Sequence, residues 1–174
     1  MFQIPPDDDK RIAALVSYGI LDTEFEENFD RVTRIAAKLF NTPIALISLV
    51  DGARQWFKSA HGVNVRQTPR EIAFCSHAIL GDDVFIVANA LEDARFVNNP
   101  LVTGEPGMRF YAGAPLITPD GYAIGTICVI DRRSRDKTSR DLPEESDLQL
   151  LKDLSGIVID LMEHRKLKRS LQDK

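Results

Sequence analysis

FYAGAPLITPDGYAIGTICVI, residues 110–130, decides the fold. Two runs rich in apolar and β-branched residues, 110–117 and 122–130, flank Pro119-Asp120-Gly121, and that punctuation predicts a β-hairpin. Gly113 and Gly125 fall inside the predicted strands, where a missing side chain points to close packing or to the approach of a ligand. Upstream, PIALISLV (43–50) is nearly all apolar and short, as a central strand covered on both faces must be. Asp51-Gly52 turns the chain into a returning strand, RQWFKSA (54–60), along which Trp56 and Phe57 alternate faces. VFIV (84–87) reads as a further strand.

Helical periodicity surrounds these strands. Ile12, Leu15, Val16 and Ile20 recur at spacings of three and four within residues 7–20. A second helix is expected over 24–40, with Thr23 and Glu26 as a capping box, Phe25, Phe29, Val32, Ile35, Ala36 and Leu39 on one face, and Asn41 and Pro43 as the stop. Thr68-Pro69-Arg70-Glu71 predicts the start of a short helix over 69–80. A polar loop with one or two helical turns near 91–95 follows, and a last helix runs from about 143, with Asp141 and Glu144 as capping groups. The order predicts an α+β fold: a mostly antiparallel sheet with the terminal helices packed on one face.

Composition narrows the function classes. A chain of 174 residues with 44% hydrophobic and 28% charged residues suits one soluble domain. The net charge of −4, with its cations scattered, argues against a nucleic-acid partner. The start, MFQIPPDDDK, is acidic where a signal peptide would be basic, and no apolar run approaches the ~20 residues of a membrane helix. Two cysteines, Cys75 and Cys128, make neither a disulfide framework nor a zinc-ligand set, so a cytoplasmic protein without membrane contact is expected. The basic stretches 132–135 and 164–169 read as solvated.

ISLVD…QWFKS, FCSHAIL, NNPLVTG, RFYAGAPL and GTICVID stand in the order found in bacterial GAF domains, and residues 11–165 resemble the branch found in sensor histidine kinases and diguanylate cyclases. The resemblance implies a GAF-like (PAS-like) antiparallel sheet of about six strands. It places the N- and C-terminal helices on one face, and a short helix and loops with a small-molecule pocket on the other. It also implies a regulatory role in which ligand state is passed to a neighbouring module. The chain is read as non-enzymatic, with a ligand-free dimerisation scaffold whose pocket has collapsed as an alternative, and as a domain spanning 1–165 with 166–174 as an extension of the last helix, where the apolar pattern weakens. Phe74, Cys75, His77, Arg109, Tyr111 and Asp131 are then the candidate ligand-binding residues.

Each has a competing reading. Cys75 beside His77 suggests a nucleophile, as in GAF-type methionine sulfoxide reductases, but two residues apart on a helix they face different ways. Bilin-binding GAF domains carry Cys followed directly by His, whereas Ser76 intervenes here, and neither bilin nor haem is expected. Arg109 suits a carboxylate or phosphate, or a structural ion pair with Asp131. In the last helix, Leu150, Leu154, Ile157 and Leu161 form a coiled-coil-like seam beside a second stripe, Leu151, Val158 and Met162. One stripe would pack on the first helices and the other on a second copy. The expected partners are therefore a small molecule of unknown identity, a homodimer mate, and an output domain such as a histidine kinase or diguanylate cyclase.

Overall fold

The computed structural model describes residues 2–136 and 141–174. The strands are β1 (Ile44–Val50), β2 (Arg54–His61), β3 (Gln67–Pro69), β4 (Phe85–Val87), β5 (Phe110–Ile117) and β6 (Ala123–Asp131). They form one sheet in the order β3-β2-β1-β6-β5-β4, with every neighbouring pair antiparallel. Helices α1 (Asp8–Ser17), α2 (Glu27–Phe40) and α5 (Glu145–Gln172) cover one face. The short helices α3 (Cys75–Ala78) and α4 (Pro100–Thr103) and their loops cover the other. The α+β architecture is the expected one.

Strand alternation sorts the core into two layers. Ala45, Ile47 and Leu49 of β1 join Phe29, Val32 and Val158 under the large helices, whereas Ile44, Leu46 and Val50 join Phe57, Phe74 and Tyr111 on the other side. β1 is buried on both faces along its whole length, which is why its sequence lacks polar alternation. The hairpin turn takes the residue types expected, Gly121 having φ +91°. Both strand glycines mark close packing. A Cβ on Gly125 would lie 2.0 Å from the Ser48 carbonyl oxygen, and one on Gly113 would lie 2.3 Å from the Tyr111 hydroxyl.

Several local expectations give way to longer-range contacts. Thr23 and Glu26 form no capping box: Thr23 donates to the Ile20 carbonyl, and both side chains are occupied by Lys58. Helix α2 accordingly starts at Glu27 and buries Phe29, Val32, Thr33, Ala36, Ala37 and Phe40, leaving Phe25, Ile35 and Leu39 exposed. Residues 69–80 are not one helix. Thr68 and Pro69 pair with β2, Arg70–Ile72 make a single 3₁₀ turn, and α3 has four residues. The ladder hydrogen bonds win because Arg70 is fixed by Asp8 of α1, with two contacts of 2.8 Å, and its carbonyl by Ser76. Glu144 and Asp147, not Asp141, form the capping box of α5.

Helix α5 buries Leu151, Leu154, Val158 and Met162 against the core and exposes Leu150 and Ile157. Leu154 thus belongs to the inner stripe. The basic stretches are not simply solvated either. Arg135 is buried and donates to the Phe40 carbonyl (2.7 Å), the Asn41 carbonyl (2.9 Å) and Asp131 (3.0 Å), pinning the end of α2 to β6. Among the described residues no helix is long and apolar enough to cross a membrane.

Candidate functional site

A cavity of about 400 Å³ opens between the sheet and the α3–α4 layer. Its floor is the alternate face of the central strands: Ile44 and Leu46 from β1, Cys128 and Ile130 from β6. Phe57, Phe74 and Tyr111 stand around it, and Leu101 and Met108 cover it. Phe74 is itself held in place by stacking on Phe96, with ring centroids 4.0 Å apart, and by Tyr111 at 5.5 Å. Glu105 and Arg132 are the charged lining residues.

Polar groups enter the wall in two chains that satisfy one another. Ser48 donates to the Gln55 amide oxygen (3.0 Å), and the Gln55 nitrogen donates to Thr68. Cys75 Sγ meets Thr126 Oγ1 at 3.1 Å and Tyr111 Oη at 3.3 Å. Burial works to raise the pKa of both thiols. On Cys75 hydrogen bonding with Cys128, Thr126, Tyr111 and Ser48 outweighs it and holds the group below the ordinary thiol range, whereas Cys128 is pushed up by burial and by Cys75. Burial likewise raises the Tyr111 phenol. The shape Tyr111 takes depends on Gly113, whose vacant Cβ position its ring covers.

Of the six residues anticipated, Phe74, Cys75 and Tyr111 are brought together on this wall; His77, Arg109 and Asp131 lie outside it. His77 sits against Phe96 (4.7 Å) and Phe85 (6.1 Å), and burial, helped by nearby Arg95, holds its pKa below the usual imidazole value. Arg109 does not face the cavity as an anion clamp. Its guanidinium donates to the Val102 carbonyl (2.9 Å) and the Met108 carbonyl (3.0 Å), which ties the covering loop to β5. Nor is it ion-paired with Asp131, whose carboxylate takes Arg135 instead. Ile44, Leu46, Gln55 and Met108 were not anticipated. Period-two counting from Cys128 and from β1 would have found the first two, and the same counting puts Asp131 on the helix side with Val129.

Behind the cavity, on the other face of the sheet, β2 carries a bulge: Ile47 opposes Ser59 while Ser48 opposes Phe57, so Lys58 is the extra residue. Lys58 and Ser59 both reach the helix layer. Ser59 meets Thr33 (2.8 Å) and Asp30 (2.6 Å). Fully buried Lys58 donates to Glu26 (2.6 Å), which also accepts from Arg165 of α5 (2.7 Å). Arg165 and Arg169 then donate to the carbonyls of Gly19 and Tyr18. The neighbour of a cavity residue, Phe57, thus holds the ion cluster that fastens the last helix.

Residues 24–158 match the GAF domain family. The chain belongs to that family. A cyclic di-GMP phosphodiesterase of Pseudomonas aeruginosa is 44% identical over 155 residues, which is 89% of this chain but only 26% of the relative's length. The fold superimposes on the GAF domain of an Acinetobacter phosphoenolpyruvate-protein phosphotransferase with a TM-score of 0.64, at 15% identity over 92% of this chain and 95% of that one. It does so equally on the free methionine-R-sulfoxide reductase of Neisseria meningitidis in complex with its substrate, at 0.64, 14% identity, and 97% and 98% coverage. At such identities these likenesses speak for the fold alone. The family and the signalling relative support a regulatory role in signal transduction.

Proposed function

We propose that this GAF domain is a non-enzymatic sensory module: a small molecule enters the cavity, and its occupancy is passed through α5 to an output domain. The observation that carries this reading is the adjacency on β2, where Phe57 walls the cavity and Lys58 holds Glu26 and, through it, Arg165. A ligand that moves the β2 wall changes the geometry available to that cluster, and so favours one seating of α5 over another. The relative's name favours an output that handles cyclic di-GMP, with a phosphodiesterase joining the kinase and cyclase expected from sequence. The contacts that fasten α5 to the module run as far as Arg169, and the residues beyond serve as its connection to the output.

A second copy is the proposed mate for the helix face. Ile35 and Leu39 of α2 and Leu150 and Ile157 of α5 are all exposed. Ile35 lies nine residues after Glu26 and Ile157 eight before its partner Arg165, about 12–14 Å along each helix, which sets the two exposed stripes at a similar height on neighbouring helices. A thiol-dependent reaction has one observation in its favour, the lowered pKa of cavity-lining Cys75. Its hydrogen-bond partners among the described residues are a phenol, hydroxyls and a thiol rather than a carboxylate or imidazole, and burial keeps the phenol protonated, so it is a poor base near neutral pH.

Native mass spectrometry of the freshly purified protein beside its denatured mass tests the reading. A non-covalent excess mass and a dimer peak are expected, with Ile157→Glu returning the dimer to monomer. A covalent excess lost in Cys75→Ser would favour thiol chemistry instead. A purely monomeric protein whose α5 exchanges amide hydrogens at the same rate with and without bound molecule would overturn the sensory role.

A further inference from the structure

The cavity's own chemistry narrows what it can hold. Resting on the sensory reading, we infer that the ligand is a neutral, largely apolar molecule of about fifteen non-hydrogen atoms or fewer, carrying one hydrogen-bonding group that meets the Gln55 amide, and not a nucleotide, phosphate or carboxylate.

Size sets the upper bound. A dry cavity of about 150 Å³ holds benzene, so about 400 Å³ accommodates a molecule some two to three times larger, at the small end of known ligand sites. A ring system with a short substituent fills it.

Charge excludes the anions. Among the described residues lining the cavity only Glu105 and Arg132 are charged, one of each sign. Both belong to its mouth: they are solvent-exposed, and the Arg132 Nε donates to the Pro106 carbonyl at 3.0 Å. Arg109, the cation that would have suited a phosphate, is turned to the carbonyls of Val102 and Met108 and is not in the wall. Helix α3, with four residues, offers no N-terminal dipole of consequence. An anion carried inward would leave water and meet Ile44, Leu46, Phe57 and Ile130, with no compensating charge.

Hydrogen bonding then fixes the polar group. In the wall, the Cys75 thiol is already engaged with Thr126 and Tyr111. Gln55 is different. It is buried and lines the cavity, and its amide has two N–H donors and two acceptor sites. The bonds to Thr68 and from Ser48 use one of each. The remaining N–H and lone pair can serve a ligand carbonyl or hydroxyl, and Gln55 is the specificity-determining residue.

Matched probes of nearly equal size test this: benzyl alcohol against benzoate, with indole as a second neutral ring and cyclic GMP as a nucleotide. Binding is read by methyl and amide shifts in NMR spectra of the full chain. Benzyl alcohol and indole should shift Ile44, Leu46 and Ile130 in the millimolar range, with benzoate at least tenfold weaker. Leu46→Trp should abolish both, with Leu101→Trp, which blocks the covering side, as the alternative should the floor variant misfold. Gln55→Leu should weaken benzyl alcohol severalfold while leaving toluene unchanged. Benzoate or cyclic GMP binding in the cavity as tightly as the neutral probes would overturn the ligand class and leave the sensory role standing. Neutral probes that bind without altering hydrogen exchange in α5 would do the reverse. If no probe shifts a cavity residue of the folded protein, the ligand class fails, and the excess mass in the native spectrum decides the sensory role separately.

Discussion

Replacing Glu26 by Gln keeps the side chain's shape and one acceptor but removes the charge shared by Lys58 and Arg165. Lys58 is fully buried and would be left without an anion, its acceptors being neutral: Thr23 Oγ1, at 2.9 Å, the Glu24 carbonyl and the new amide oxygen. Removing one partner of a buried pair costs about 3–5 kcal/mol. Glu26 itself is 37% exposed, so water recovers part of this and about 2–3 kcal/mol remains. Lys58→Met removes the buried charge instead and leaves Glu26 to Arg165, so its cost should be no more than about 1 kcal/mol. The double variant should then be more stable than Glu26→Gln alone, with a coupling of about 2 kcal/mol in a double-mutant cycle. Urea unfolding followed by circular dichroism and Trp56 fluorescence supplies the four free energies. Hydrogen exchange should show residues 159–169 opening at least tenfold more often in Glu26→Gln, with β1 and β6 unchanged. A cost for Glu26→Gln below about 0.5 kcal/mol, or the same cost with and without Lys58, would refute the idea that this cluster fastens α5.

Three further outcomes follow from the same contacts. Gly113→Ala brings a Cβ to 2.3 Å from the Tyr111 hydroxyl and 2.7 Å from its Cζ, so it should cost about 2 kcal/mol by overpacking; in a Tyr111→Leu background, thermal unfolding should show that cost largely gone. Asp131→Asn leaves buried Arg135 without its anion and should cost about 3 kcal/mol in urea, while probe binding in the cavity stays within twofold; a selective loss of binding would give Asp131 the ligand role that its position argues against. In acid, Asp8 is held below the ordinary carboxylate value chiefly by Arg70, and Glu26 is also held low, with burial opposing and Lys58 and Arg165 prevailing. A lowered folded pKa stabilises above the unfolded value and is lost as pH falls through the folded one. Stability should therefore drop as pH falls through 4 and below, and Asp8→Asn should flatten that drop.

The sheet was legible because its signals are local: an apolar run, a Pro-Asp-Gly turn and two glycines that had to be bare. The misplacements share a different cause. Ile35 and Leu39 satisfy the helical period, yet Thr33 and Ala37 face inward, because periodicity identifies stripes and not which stripe meets the chain's own core. The capping signals at Thr23 and Thr68 are real residue preferences defeated by partners 35 and 13 positions away, Lys58 and Gln55. Arg135 reads as a surface cation, and only the folded chain brings it the carbonyls of Phe40 and Asn41. For the site, the structure sets Phe74 and Cys75 of FCSHAIL in the cavity wall, whereas His77 in the same stretch turns to an aromatic cluster outside it. The bulge at Lys58 broke the alternation that would otherwise have sorted β2 face by face.

The way α5 is fastened also sets a rule for anyone splicing this module to a foreign effector. Its last anchoring contact is Arg169 on the Tyr18 carbonyl, and every residue from 167 onward is exposed. A junction upstream of 169 would discard part of the fastening, whereas one downstream inherits a rigid shaft. Each residue added there turns whatever follows by about 100° and lifts it by about 1.5 Å. A graded series of one- to four-residue insertions after Arg169 would sweep a fused effector once around the shaft, so that linker phase becomes a dial for converting an activating ligand into a repressing one.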